Sequence, residues 1–158
     1  MTPALAAALE VENQAGAPRL GAAYVLLRDA WTQGSRDRDL VLHLLFLAWY
    51  SAVEPPHLTG FEPDAVSKDD LDDILRCVLD TLLGDPTECK DAEVLFVVGV
   101  MAQVAAWSFG DEAEWDARSR LYRSRYRELA PSGLGAGVFA GRGVYGAYFA
   151  NWVTRVGS

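Results

Sequence analysis

The segment 54–61 gathers residues that could perform acid–base or binding chemistry. It contains a histidine, which can donate or accept a proton near neutral pH, beside a carboxylate, a hydroxyl and an aromatic ring. Two adjacent prolines stiffen it, and functional groups are often presented by loops on rigid scaffolds. The alternative, favoured because most loops are only connections, is that the prolines end a helix and Phe61 packs into the core. The candidate binding residues here are Trp49, Tyr50, Glu54 and His57.

A second candidate is a predicted helix with five arginines in an otherwise acidic chain. Arginine interleaved with aromatic residues can bind phosphates or stack on bases. Helical periodicity places Arg118 and Arg125 beside an aromatic stripe that includes Tyr122, and these three are the candidate binding residues. Pairing with carboxylates four residues away explains the same charges and is the favoured interpretation. The pairs are Glu114 with Arg118 and Asp116 with Arg120.

Four aspartates cluster in residues 69–73, at the predicted start of a helix. Their spacing, D-D-x-x-D, resembles the aspartate-rich motif with which isoprenoid synthases bind magnesium and diphosphate, and clustered carboxylates suit such a hard cation. The helix dipole alone favours Asp in a first turn, and Arg76 can pair with Asp73. Because no second motif of this kind occurs in the chain, we expect a solvated acidic face.

The remaining motifs in the sequence indicate neither a metal nor a cofactor. Cys77, Cys89 and the two histidines are too widely spaced for a zinc pattern, and signatures of nucleotide-binding loops and common hydrolases are missing. His43 lies in an apolar stretch, which predicts a hydrogen-bonded core histidine. The sequence therefore favours a protein without catalytic activity but does not decide this. It also leaves open whether Cys77 and Cys89 form a disulfide.

Hydrophobic periodicity and stop signals predict the elements that position these residues. The predicted helices are 2–11, 20–33, 35–53, 67–83, 91–109, 111–129 and 134–156. The stretch 40–53 is apolar nearly all round, which predicts a central helix without a solvent face. No segment alternates with period two over a convincing length. The predicted fold is all-α, a compact bundle of about six or seven helices, arranged as helical hairpins.

The 158 residues suit one domain, and a hydrophobic fraction of 51% excludes general disorder. We predict a single helical domain over 1–158, with the N-terminal helix 2–11 loosely attached and residues 157–158 as a cloning remnant. Neither a signal peptide nor a stretch of roughly 20 apolar residues is visible, so we expect a cytoplasmic protein. Arginine and alanine outnumber lysine, a bias typical of GC-rich bacterial genomes.

The formal net charge of -8 disfavours nucleic acids and anionic membranes as partners and is compatible with a basic or neutral protein. The first functional hypothesis is therefore a protein–protein interaction module, either an adaptor or an immunity-type inhibitor, that acts by surface binding. The alternative is a small-molecule-binding protein or enzyme with its site near residues 54–61. A second alternative is a homo-oligomeric structural module.

Overall fold

The computed structural model describes residues 1–61 and 66–156. The structure is 72% helical and none of the described residues lies in a strand, which confirms the all-α prediction. The described α-helices are α1 (Pro3–Glu12), α2 (Leu20–Thr32), α3 (Arg38–Val53), α4 (Pro56–Thr59), α5 (Lys68–Leu83), α6 (Ala92–Val104), α7 (Glu112–Leu129) and α8 (Gly143–Val156). Two 3-10 turns, Ala106–Ser108 and Ala136–Phe139, precede α7 and α8.

The chain divides into two compact units, Met1–Leu82 and Leu83–Ser158, which are here called the first and second units. Each unit contains one helix that is almost entirely buried, α3 in the first and α6 in the second. The prediction of a single domain over 1–158 stays a prediction.

The first unit is built around α3, in which residues 40–49 are all buried. Asp37 begins this helix, because its carboxylate accepts a hydrogen bond from the backbone N–H of Leu40 at 3.0 Å. Pro55 follows its last turn and cannot donate the next helical hydrogen bond. The helices α1, α2 and α4 pack against α3 or against each other, and the predicted central apolar helix is thereby confirmed.

The second unit is dominated by α6 packed along α7. Asp91 begins α6 by accepting hydrogen bonds from the N–H groups of Glu93 and Val94, at 3.1 and 3.2 Å. Asp111 begins α7 in the same way, with the N–H of Glu114 at 2.8 Å. These caps satisfy N–H groups that a helix cannot pair internally, and they fix where each helix starts.

The structure differs most from the predicted boundaries at three places. The helix predicted over 91–109 ends at Val104 and continues as the 3-10 turn. The helix predicted over 134–156 begins only at Gly143, because positive φ values at Gly141 and Gly143 interrupt a regular helix. Residues 54–66, which lie between the predicted helices 35–53 and 67–83, contain α4, since a proline at the first helical position fits a helical turn. Residues 62–65 of this segment lie outside the described residues.

None of the described helices is long and apolar enough to cross a lipid bilayer. The helix α6 has the longest apolar run but covers 13 residues, whereas a span needs roughly 20.

Candidate functional site

The loop that carries α4 is fixed to the start of α2. Gly60 ends α4 with φ of +70°, and its N–H donates to the carbonyl oxygen of Pro56 at 2.8 Å. A Cβ atom at Gly60 would lie 1.9 Å from the carbonyl oxygen of Pro18, so only glycine allows this approach. Phe61 is buried, and its ring centroid lies 5.6 Å from that of Tyr24 in α2. The backbone of the loop is therefore held on both sides of Gly60.

This fixed loop presents an apolar side chain to solvent. Leu58 is 52% exposed and its neighbour His57 is also exposed, whereas Thr59 and Phe61 are buried. A large apolar residue in water matters more when its backbone is held, because binding then costs little conformational entropy. We call His57 and Leu58, with Glu54 at the end of α3, the loop surface.

The structure separates the four residues predicted near this loop. Trp49 is fully buried and packs beside Phe46, while His57 is exposed, so the two do not share an accessible surface. Tyr50 is half-buried and stacks on Phe46 with ring centroids 5.0 Å apart. Burial raises the pKa of the Tyr50 hydroxyl, and the nearby Glu54 carboxylate raises it further. Tyr50 and Glu54 are therefore brought together, and a binding role for all four residues stays a prediction.

The three residues predicted on the arginine helix are engaged within α7 itself. Arg118 donates to Glu114, and its guanidinium lies 4.6 Å from the centre of the Trp115 ring. Arg125 pairs with Glu128 at 3.2 Å. Tyr122 is buried, and burial raises the pKa of its hydroxyl, although the Arg118 charge lowers it. Local pairing thus accounts for Arg118 and Arg125, and a binding role for the three residues stays a prediction.

A different set of arginines on α7 lacks such pairing. Arg120 and Arg127 are exposed, and neither forms an ion pair or hydrogen bond with any residue that the structure describes. Arg123, which helical periodicity places on the same side, donates to Gln103 of α6 at 2.5 Å. Beside Gln103 lies the exposed Val104, and Trp107 in the following 3-10 turn is 56% exposed. We call Val104, Trp107, Arg120, Arg123 and Arg127 the arginine surface.

The aspartate cluster lies on the exposed side of α5. Ser67 begins this helix by accepting a hydrogen bond from the N–H of Asp70 at 3.1 Å, and Asp73 pairs with Arg76 at 2.8 Å. Asp69 and Asp72 are exposed and form no ion pair with the described part of the chain. Within the described ranges, no group of three metal-ligating side chains is close enough to hold an ion.

Charge is distributed unevenly between the units. The first unit has thirteen acidic and six basic residues, a net charge of -7, and the second has nine and eight, a net charge of -1. Almost all of the net negative charge of the chain therefore belongs to the first unit, which also presents the loop surface. A positively charged partner would be attracted to this unit over distances of about 10 Å at ordinary salt.

Sequence reasoning missed two buried polar clusters. Nε2 of His43 in α3 lies 2.5 Å from Oε1 of Glu12 in α1, with the two side chains only 3% and 1% exposed. In the second unit, Oε1 of Glu93 accepts hydrogen bonds from Arg142 at 2.5 Å and from the Tyr145 hydroxyl at 2.6 Å. The sequence predicted a partner for His43 but gave no signal that Glu12 supplies it.

Tyr24 gives a prediction about alkaline pH. Its hydroxyl is buried without a hydrogen-bond partner in the part of the chain that the structure describes. Burial raises the pKa of Tyr24 to about 12, against the opposing effect of Arg28, and the Asp70 carboxylate raises it further. A folded-state pKa above the unfolded value of about 10 means that stability present below pH 10 is lost between about pH 10 and about pH 12. We expect Tyr24→Phe to remove the part of the alkaline loss of stability that is due to Tyr24.

At neutral pH, Tyr24→Phe also removes an unpaired buried hydroxyl, so the free energy of unfolding should be unchanged or higher by up to about 1 kcal/mol. Urea unfolding of both proteins from pH 8 to pH 12 measures the difference between their unfolding free energies. The other tyrosines are present in both proteins, so their titration cancels in this difference. An equally steep alkaline loss in the variant, or a clear destabilisation at pH 7, would contradict the prediction.

Comparisons with protein-family models, with curated proteins and with solved structures find no match for this chain. The loop surface and the arginine surface both expose a large apolar residue beside charge, but their charges have opposite sign.

Proposed function

We propose that this chain is a protein–protein interaction module that binds a basic protein through the loop surface, without catalysing a reaction. The observation that carries the proposal is the exposure of Leu58, 52%, on a loop whose backbone is fixed against α2. Interfaces depend on a few large side chains that enter the partner and lose their water. A preorganised Leu58 meets this requirement, because the loop does not have to be ordered on binding.

The partner's charge follows from the acidity of the first unit. A net charge of -7 on this unit attracts a positively charged surface and repels an acidic one. Carboxylates around an apolar contact fix orientation and accelerate encounter, whereas the apolar contact supplies most of the affinity. An adaptor or an immunity-type inhibitor of a basic protein would have these properties.

We also propose a bacterial, cytoplasmic setting. The chain has two lysines among its 14 basic residues, a bias that accompanies GC-rich bacterial genomes. Both cysteines, the exposed Cys77 and the buried Cys89, are unpaired, as is usual where thiols are kept reduced.

Leu58→Asp tests the proposed function. Tagged full-length chain, expressed in its native host, should co-purify in stoichiometric amount with one protein of net positive charge. That protein, once purified, should bind the wild type more weakly as salt is raised, and it should bind Leu58→Asp at least about tenfold more weakly. The loss is expected because an aspartate cannot enter an apolar pocket without leaving its charge desolvated.

The matched control is Leu26→Asp, which changes another exposed leucine of the first unit; Leu26 lies on α2 and is not one of the residues of the loop surface. It should leave the affinity within about twofold of the wild type. Equal losses in the two variants, or the absence of any stoichiometric basic partner, would refute the proposed function.

A further inference from the structure

The arginine surface combines the residue types that most often anchor interfaces. Trp107 is more than half exposed, and Val104 is exposed beside it. Arg120, Arg123 and Arg127 follow each other at intervals of three and four residues on one side of α7, which brings like charges close together. Such an arrangement disfavours the helix unless an anionic group binds across it. The surface therefore fits an acidic partner that also presents an apolar residue.

The first unit of the same chain has this complementary character. Leu58 supplies the exposed apolar residue, and Asp69, Asp72 and Asp80 are exposed on α5 without an ion-pair partner among the described residues. The acidic first turn of α5 follows the loop in the chain, because α5 begins at Lys68, seven positions after Phe61. Apolar contact and negative charge thus occur together in this unit.

We propose that the chain self-associates head to tail, with the arginine surface of one copy bound to the loop surface and the acidic face of α5 of a second copy. The charge spacings match, because Asp69 and Asp72 are three residues apart, as are Arg120 and Arg123. On each helix such a pair is separated by about 4.5 Å along the axis, so both ion pairs can form with the helices side by side. The net charge of -8 makes a nucleic acid a poorer occupant of the arginine surface than an acidic protein face.

The two surfaces are different, so the contact is heterologous. Each copy binds one neighbour through its arginine surface and another through its loop surface and the acidic face of α5. The second copy covers the loop surface, where we place the basic partner. Self-association would therefore compete with partner binding, and the associated chain would not bind the basic partner through this surface. The inference does not depend on the proposed function, because it is tested on the purified chain alone.

Two variants, each defective in one surface, provide the test. The loop-side variant combines Leu58→Ser, Asp69→Asn and Asp72→Asn. The arginine-side variant combines Trp107→Ser, Arg120→Gln and Arg127→Gln. All six positions are exposed, so both proteins should fold, which circular dichroism checks. Single substitutions at Leu58 and Trp107 serve as back-up variants if a triple variant is unstable.

Sedimentation equilibrium should show that the wild-type mass rises with concentration, with an apparent Kd at least about tenfold higher at about 0.5 M salt than at about 0.05 M. Each variant alone should remain monomeric. An equimolar mixture should form a 1:1 dimer and nothing larger, because one intact arginine surface meets one intact loop surface.

The inference would be overturned by a wild type that is monomeric at all concentrations, by association that persists in either variant alone, or by a mixture that stays monomeric. Binding of the wild type to double-stranded DNA without self-association would also overturn it and would assign the arginine surface to nucleic acid. Loss of partner capture in Leu58→Asp, with self-association absent, would retain the proposed function and discard this inference alone.

Discussion

Replacement of Glu12 by alanine is expected to lower the free energy of unfolding by about 3–5 kcal/mol. The Glu12 carboxylate lies 2.5 Å from Nε2 of His43, and both side chains are nearly inaccessible to water. Alanine would leave the imidazole buried without this partner and would open a small cavity between α1 and α3. Urea unfolding followed by far-ultraviolet circular dichroism measures the loss.

Two further variants separate the partner's role from simple packing. Glu12→Gln keeps a hydrogen-bonding group of the same size, so we expect a smaller loss, about 1–2 kcal/mol. The double variant Glu12→Leu with His43→Leu removes both polar groups and should regain stability relative to Glu12→Ala, because replacing both hydrogen-bond partners by apolar groups leaves neither one buried without a partner. A loss below about 1 kcal/mol in Glu12→Ala would show that the pair contributes little.

Local sequence signals predicted the helices and several of their starting points. The predicted helices 2–11 and 111–129 start at Thr2 and Asp111, and each of these residues accepts a hydrogen bond from a backbone N–H group, at 3.2 and 2.8 Å. The long apolar stretch 40–53 also predicted a buried helix, since no solvent face remained. These features depend on residues within a few positions of each other, which is why the sequence alone is sufficient for them.

Contacts between distant residues left no such signal. Glu12 and His43 are 31 positions apart, and Glu93 and Arg142 are 49 apart, so no helical period relates them. The sequence therefore showed that His43 needs a polar partner but not which carboxylate provides it. The start of α8 was also mispredicted, because the apolar pattern extends through glycines whose positive φ is visible only in the structure.

The candidate surfaces were predicted only in part, because they depend on both local periodicity and contacts between distant residues. Periodicity placed Arg118 and Arg125 beside the aromatic stripe, but it could not tell which arginines are already paired with carboxylates. The structure pairs these two with Glu114 and Glu128 and leaves Arg120 without an ion pair in the described residues. The prolines predicted a stiff loop. The attachment of this loop to α2 depends on the close approach of Gly60 to the backbone of Pro18, and the sequence does not show that approach.

Gly60→Ala is expected to cost at least about 3 kcal/mol of unfolding free energy. Two effects add: an L-residue at φ of +70° costs about 1–2 kcal/mol, and the new Cβ would lie 1.9 Å from the carbonyl oxygen of Pro18. That oxygen belongs to the backbone, so it cannot move aside by a side-chain rotation. The loop must shift away from α2, and Leu58 and Phe61 shift with it. Urea unfolding measures the cost, and partner binding should fall together with stability.

Gly141→Ala is the matched control, because Gly141 has the same φ of +70° but nothing within 4 Å of its would-be Cβ. It should cost only the backbone part, about 1–2 kcal/mol. The excess loss in Gly60→Ala then measures the close approach of the loop to α2, which is the feature that holds Leu58 in place. Equal losses in the two variants would mean that the loop adapts freely, and a freely adapting loop would remove the preorganisation on which the proposed binding of a basic partner depends.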